Sequence, residues 1–314
     1  MQRIAYIVVP QFQVMVFAGM SAFELANGVV GTKHYDVHLL SEAGGAVHSS
    51  IGVPVMTEKV SRRVFDTLIV AAGLGKVETT PALLSFVRNS VRRTRRVASM
   101  CSGAFVLAEA GVLDGRRATT HWAYAQELQS RFPDIKLEPD RIFINDGHVW
   151  TSAGMTASID MALTMIEHDL GVDVARMVAR KLVVYHRRSG GQLQHSALLD
   201  IAPRSDRIQT ALSYARNHLR EPLNVEQLAG HAHLSPRQFS RAFNAETGQS
   251  PAKAVERLRV EAARLMLEQG QHPIEVVATE TGFADRERMR RAFLRAFGHP
   301  PLAVRRAGRA ARPA

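Results

Sequence analysis

One cysteine and one histidine are the residues best placed to do chemistry. A β-run, Arg96–Met100, is followed at once by Cys101-Ser-Gly103 and a helical stretch, and Gly103 permits a sharp turn there. Such a strand-to-helix elbow exposes a side chain at a sheet edge and aims a helix N-terminus at it, and both features favour a thiolate. Twenty residues on, Ala118-Thr-Thr-His121 supplies His121 as a base, while Gly73, in Ala71-Ala-Gly-Leu-Gly75, could present backbone N–H groups beside the same pocket. With Ser102 these residues would line a site for nucleophilic attack by sulfur. The plainer alternative is that a lone Cys is a small buried hydrophobe, and a Cys with a His does not by itself make an enzyme.

The elements that would position them alternate in type. Strands are predicted at Ile4–Val9, Tyr35–Leu40, Thr67–Ala72, Arg96–Met100, Ile142–Asn145 and His148–Thr151. Helices are predicted at Val14–Asn27, Pro81–Val91, Ala104–Ala110, His121–Arg131, Thr156–Leu170 and Val172–Val184. Short apolar strands between amphipathic helices imply an α/β domain, a flavodoxin-like parallel sheet covered by helices. Its ligands would sit beyond the carboxyl ends of the strands.

A helix-breaking stretch at 187–205 then marks a linker, and from Asp206 onward the chain reads as all-α. The expected division is 1–186, a sensor-like α/β domain; 187–205, linker; 206–305, a helical domain; and 306–314, a disordered tail. Stops are expected at Gly248, Gly270, Gly282 and Gly298.

The helical domain contains the same pattern twice. Val225–Phe243 and Ile274–Phe293 are each a short apolar helix, a tight turn and a basic helix closed by Gly and Pro, which is a helix-turn-helix. In the first basic helix Phe239 and Phe243 face the core, leaving Arg237, Ser240 and Arg241 to project. In the second Met289 and Phe293 take the core role, leaving Arg286, Glu287, Arg290 and Arg291. Arginine can grip O6 and N7 of guanine, although half or more of protein–DNA hydrogen bonds go to the backbone. The charge agrees: the net is +11, of which residues 1–204 carry +4 (22 basic, 18 acidic) and the shorter remainder +7 (18 basic, 11 acidic).

Other signals are weaker. One cysteine excludes an internal disulfide, and the cytoplasm is the expected location. No stretch reaches the ~18 apolar residues of a membrane span, and the apolar start reads as a strand rather than a leader. His195, His231, His233 and His272 lack metal-ligand spacing, so no metal is expected. Gly73-Leu-Gly75 is too short for a nucleotide fingerprint, and no cofactor is expected. Arg92-Arg-Thr-Arg-Arg96 reads as a solvated face.

The paired motifs, Leu-Ala followed by Ser-x-Arg-x-Phe-x-Arg-x-Phe, then Gly-Phe and Arg-x-Phe-x-x-x-x-Gly-x-x-Pro, resemble the AraC/XylS transcription regulators over about residues 206–305. Val304 departs from the aromatic usual there, a change expected to affect packing. Residues 1–185 resemble the PfpI/class I glutamine amidotransferase-like domain at Cys101-Ser-Gly-Ala, Ala118-Thr-Thr-His121 and Thr151-Ser-Ala-Gly154. In catalytic relatives an acid after the first strand completes the set; the matching residue here is Val16, and Glu24 lies two helical turns further on. The resemblance therefore implies no enzyme but a ligand sensor, with Cys101, His121, Gly73, Ser102 and Val16 as pocket residues and a small, nitrogenous metabolite as effector. It further implies a sequence-specific regulator that binds double-stranded operator DNA, acts with RNA polymerase and forms a homodimer. The alternatives are a thiol-dependent hydrolase or amidotransferase, or a Cys101 redox sensor, fused to a DNA-binding domain.

Overall fold

Three apolar runs that would be poor surface strands become the middle of a sheet. The structure, a computed structural model, describes residues 1–73, 75, 77–184, 187, 188, 190, 194, 205–269 and 272–310. The chain begins with β1 (Gln2–Val8), α1 (Val16–Val30), β2 (Tyr35–Ser41), β3 (Gly45–His48), β4 (Pro54–Lys59), β5 (Thr67–Ala71), α2 (Pro81–Val91) and β6 (Arg96–Met100). There follow α3 (Gly103–Glu109), β7 (Arg117–Ala118), α4 (Trp122–Arg131), β8 (Lys136–Leu137), β9 (Phe143–Asp146), β10 (Val149–Ser152), α5 (Ala157–Leu170) and α6 (Val172–Lys181). Ile4–Val8 and every residue of β5 and β6 are buried, as strands covered on both faces must be.

The main sheet runs β3-β4-β2-β1-β5-β6-β10-β9. It is parallel through its interior, but β3–β4 and β9–β10 pair antiparallel at the two edges. The β3–β4 hairpin was not expected. Its strands are largely exposed, and an edge strand has too little burial to print an apolar signature in the sequence. Alternation along β1 divides the core: Ile4, Tyr6 and Val8 pack under α1, α5 and α6, whereas Ala5 and Ile7 pack under α2, α3 and α4. Strand order turns about β1 and β5, and the loops beyond their carboxyl ends touch: a Cβ at Gly73 would lie 2.7 Å from the Gln11 carbonyl oxygen.

The arginine run at 92–96 is not simply solvated. Arg96 is buried and, with Arg95, pairs with the fully buried carboxylate of Asp169, which also accepts from the Tyr35 hydroxyl at 3.0 Å.

The described chain falls into two compact units, Met1–Gln194 and His195–Ala314. The break lies inside the expected linker; Arg188, Gly190 and Gln194 pack on the first unit, and most of the remaining linker, His195 included, lies outside the described residues.

The second unit is α7 (Asp206–Asn217), α8 (Val225–His231), α9 (Pro236–Thr247), α10 (Pro251–Gln269), α11 (Ile274–Glu280), α12 (Arg286–Phe297) and α13 (Pro301–Ala310). The last helix runs into the tail expected to be disordered; residues 311–314 and Gly270 lie outside the described set. Starts and stops are set by side chains. Asn224 and Ser235 form capping boxes with Gln227 and Gln238, Asp285 caps α12, and Gly248 and Gly298 close α9 and α12 in the left-handed conformation. Each polar cap stabilises its helix by ~1 kcal/mol. Two cores share one helix: Ala254, Val255 and Leu258 of α10 pack with Phe239 and Phe243, and Val260, Ala263 and Leu267 with Met289 and Phe293. Val304 is buried in the second core.

Candidate functional site

β6 ends in a bend that only glycines around it make possible. Cys101 adopts φ 55, a left-handed backbone that costs a non-glycine residue roughly 1–2 kcal/mol. A Cβ at Gly103 would collide with the Val70 carbonyl oxygen, and one at Gly154, itself at φ +79, would sit 2.5 Å from the Cys101 Cβ. Strain of this kind survives where its surroundings fix it, and it gathers at functional sites.

The polar groups around the elbow differ from the expected set. The Gly73 carbonyl, rather than an N–H, faces the elbow: Cys101 Sγ donates to it at 3.2 Å and Ser102 Oγ at 2.5 Å. A carbonyl dipole favours the protonated thiol and cannot stabilise an oxyanion. Cys101 is only 2% exposed. Burial pushes its thiol up to about 11, against a smaller lowering by the backbone N–H of Ser102. The expected exposed, thiolate-favouring cysteine is therefore corrected to a buried thiol, because desolvation outweighs the turn of helix that follows it.

Two loops hold Cys101. Its N–H donates to the Ser152 carbonyl at 3.0 Å, and its carbonyl accepts from Thr120 Oγ1 at 2.9 Å. The Thr119 N–H donates in turn to Thr151 Oγ1 at 2.8 Å, tying the loops together. His121 follows at the head of α4. Its Nδ1 accepts from the Ala123 N–H at 3.3 Å, so a neutral ring carries its proton on Nε2. The ring is set as a helix cap, flanked by Trp122 and Tyr124. Burial, then proximity to Cys101, raises the Tyr124 phenol.

Val16 opens α1 and is buried in the apolar cluster that includes Met100. Glu24 is exposed on the same helix. The structure thus unites Gly73, Cys101 and Ser102, places His121 one residue from the Thr120 contact, and puts Val16 into the core. Among the described residues no group of three or more His, Cys, Asp or Glu could hold a metal. Gln194, whose amide lies on the Thr119–Trp122 loop, escaped sequence reasoning, and Arg188, which opens the boundary stretch, pairs with buried Asp160, a role no spacing announced. A glutamine and an arginine in a glycine-rich stretch carry no periodic signal.

In the second unit the expected DNA-facing side chains are at the surface. Arg237 and Arg241 on α9 and Arg286, Glu287, Arg290 and Arg291 on α12 are exposed, and Ser240 is half-exposed. Superposing the caps, Ser235 on Asp285, places Ser240 opposite Arg290 and Arg241 opposite Arg291. Their surroundings differ. Glu287 accepts from Arg290 Nε and Nη2, both at 2.8 Å, which lowers its carboxyl, and Arg286 lies 3.7 Å from Glu275. Arg288, not singled out by spacing, is also exposed and 3.7 Å from Asp285.

Known proteins match both units. The model for the DJ-1/PfpI family matches residues 11–168, and a helix-turn-helix domain model matches residues 228–307. The HTH-type transcriptional regulator GlxA of Rhizobium meliloti is 31% identical over 321 residues, covering 97% of this chain and 96% of that protein. An isonitrile hydratase of Pseudomonas putida is 34% identical over 186 residues, covering 57% of this chain and 77% of that enzyme. Among solved structures, an AraC family transcriptional regulator from Pseudomonas putida aligns with TM-score 0.54 at 21% identity, covering 58% of this chain and all of that one.

Proposed function

The chain belongs to the HTH-type transcriptional regulators that join a DJ-1/PfpI domain to an AraC-type DNA-binding domain, and from that premise we propose that its first unit senses a small metabolite while its second binds operator DNA. One observation carries the reading. Two recognition helices with exposed arginine faces are fixed by their own caps and by two cores built on the single helix α10. Such helices could occupy adjacent major-groove segments, ~34 Å apart along a duplex.

The first unit serves recognition and not turnover. A covalent nucleophile needs a base that is itself oriented by a third group. Here the thiol is held protonated, His121 spends Nδ1 on a helix cap, and the position of the acid is Val16. What remains is a strained, glycine-lined pocket region at the carboxyl ends of β5 and β6, where ligands of such sheets bind. The resemblance further leads us to propose that the protein works in the cytoplasm as a homodimer acting with RNA polymerase.

Duplexes selected from a random pool by the full-length protein test the DNA half. Affinity should fall steeply with salt as counterions are released; affinity flat between low and physiological salt would refute it. A thermal-shift screen of amino acids, betaines and amines tests the sensor half, since a ligand that binds only the folded state raises its apparent stability. No shift from any of them, with turnover of an amide, aldehyde or isonitrile by the wild type, would overturn it in favour of an enzyme.

A further inference from the structure

The last residue of the first unit is hydrogen-bonded to the loop that holds Cys101. Gln194 Nε2 lies within reach of the carbonyl oxygens of Thr120 (2.6 Å), Pro139 (2.7 Å) and Arg141 (3.0 Å) and of Thr119 Oγ1 (3.2 Å). Its Oε1 accepts from the Trp122 N–H at 2.9 Å, and its own N–H donates to the Asp140 carbonyl at 2.7 Å. Thr120 therefore holds both ends: its hydroxyl donates to the Cys101 carbonyl at 2.9 Å, and its carbonyl accepts from Gln194. The path from Cys101 to the junction with the second unit is two hydrogen bonds long.

A second anchor reaches the other loop around Cys101. Arg188 donates its backbone N–H to Asp160 Oδ1 at 2.8 Å, its Nε to Oδ2 at 2.9 Å and its Nη2 to Thr156 Oγ1 at 2.8 Å. The Asp160 side chain is 4% exposed, and Thr156 directly follows Gly154 and Met155, the latter at φ 51. Between the anchors Gly190 lies so close to β9 that a Cβ would come 2.6 Å from the Phe143 carbonyl oxygen. A simple spacer needs none of this.

We propose that the Arg188, Gly190 and Gln194 contacts act as a strap that reports the state of the Cys101 elbow to the junction with the second unit. Its two polar anchors grip the two loops that hold Cys101. The strap builds on the sensor reading but uses a separate lever: its anchors are hydrogen bonds and an ion pair, which break singly, whereas an apolar seam would yield only as a whole. A molecule that shifts Thr120 or Thr156 has a different affinity for the strapped and released states, which is the condition for it to move the equilibrium between them. Coupling of this kind is reciprocal, so loosening the strap must loosen the loops that hold Cys101.

The test is run on the full-length chain with methyl methanethiosulfonate, a small thiol reagent. Gln194→Ala removes up to three hydrogen bonds, two from Nε2 and one to Oε1, and should raise the rate of Cys101 modification at least about tenfold, as local opening becomes easier. Arg176→Ala, which removes an exposed pair with Asp173 in the same unit, should leave that rate unchanged. In the wild type, modification of Cys101 should speed trypsin cleavage after Arg187 and Arg188 but not after Arg131; this arm needs no variant to fold. Cleavage unchanged by modification, or rising equally at all three arginines, overturns the strap. So does a Gln194→Ala rate equal to that of the wild type. A null metabolite screen with substrate turnover but positive coupling would sink the sensor and leave the strap, and metabolite binding without coupling would sink the strap alone.

Discussion

Gly154 lies against Cys101 so closely that a Cβ at 154 would come within 2.5 Å of the Cys101 Cβ and 2.9 Å of its backbone nitrogen. Those are backbone and near-backbone atoms, which cannot swing aside. Gly154 is also at φ +79, so Gly154→Ala meets both a steric and a conformational penalty. Each is of order 1–3 kcal/mol, and together they should cost about 3 kcal/mol. Chemical denaturation of the variant measures it. A loss below ~1 kcal/mol would mean that the elbow relaxes freely and that its strain is not fixed by the second loop.

The thiol supplies a prediction with a defined sign. Unfolded, Cys101 should ionise near its ordinary value of 9.0; folded, it keeps its proton up to about 11. Between those values the folded state binds more protons, so stability is lost as pH rises above 9 and is unaffected by this group below it. Two pH units correspond to a loss of order 2 kcal/mol by pH 11. Tyrosines and lysines titrate there too, so the quantity to measure is the wild type minus Cys101→Ala difference in denaturation midpoint. A difference constant from pH 8 to pH 11 would contradict a buried, carbonyl-facing thiol.

Sequence made the interior legible and the site only partly so. β5 and β6 are short, mostly apolar runs buried along their whole length, and the capped helices of the second unit announce themselves by Ser-Pro and Asn-x-x-Gln. Local signals of that kind survive without a structure. The β3–β4 edge did not, for want of buried residues. Motif spacing reports the elbow at Cys101 but not its solvent exposure, so it does not decide between a thiolate and a small buried thiol. The direction of the Gly73 carbonyl is a backbone torsion that no residue type encodes. The Arg188 and Gln194 anchors join positions 28 and 74 residues apart, so they became visible only once the sheet had brought their partners together.

Asp169 anchors the opposite end of the sheet. Burial alone would raise its carboxyl, but Arg95 and Arg96 win and hold it below the usual value of 3.8. Asp169→Asn leaves buried Arg96 without its counter-charge, and breaking such a pair costs about 3 kcal/mol at neutral pH. Because the folded value is depressed, this stability is present above the unfolded value and is lost as pH falls through the folded one. Acid titration of both proteins should therefore show a gap that is constant from pH 7 to 5 and closes below about 4. A gap that persists undiminished into that range would show that packing, and not the ion pair, carries the effect.

Glu287 is the one acid among the side chains expected to face DNA, and it holds Arg290 with both oxygens. In that state it places a negative charge beside the duplex and occupies an arginine fork. Glu287→Gln should strengthen binding to all duplexes severalfold and steepen the dependence of log K on log salt by up to about one unit, as one more phosphate contact forms. If Glu287 instead accepts from a cytosine amine, the same variant should weaken the selected site and relax the preference at one base pair. Titrations at two salt concentrations, on selected and scrambled duplexes, separate the outcomes. No change in either would remove the Glu287–Arg290 pair from the DNA interface.

His233 and Gly282 hold the same place in the two repeats, each the left-handed residue of its turn, at φ 52 and 77. The following N–H closes the turn in both: Leu234 donates to Ala229 at 3.0 Å and Phe283 to Ala278 at 2.8 Å. The sequence nevertheless uses different residues, and space explains one of them. A Cβ at 282 would run into the Leu219 carbonyl oxygen and come 2.7 Å from Arg259 Nε, whereas His233 is exposed. Gly282→Ala should therefore destabilise the second unit by about 3 kcal/mol or more, combining the strained φ with a backbone clash. His233→Gly relieves ~1–2 kcal/mol of left-handed strain but adds ~0.5–1 kcal/mol of chain entropy to be lost on folding, so it should stabilise slightly, by roughly half a kcal/mol. Thermal unfolding of the full chain with both variants reads the contrast. Equal effects of either sign would mean that the turns, and not their neighbours, set the requirement for glycine.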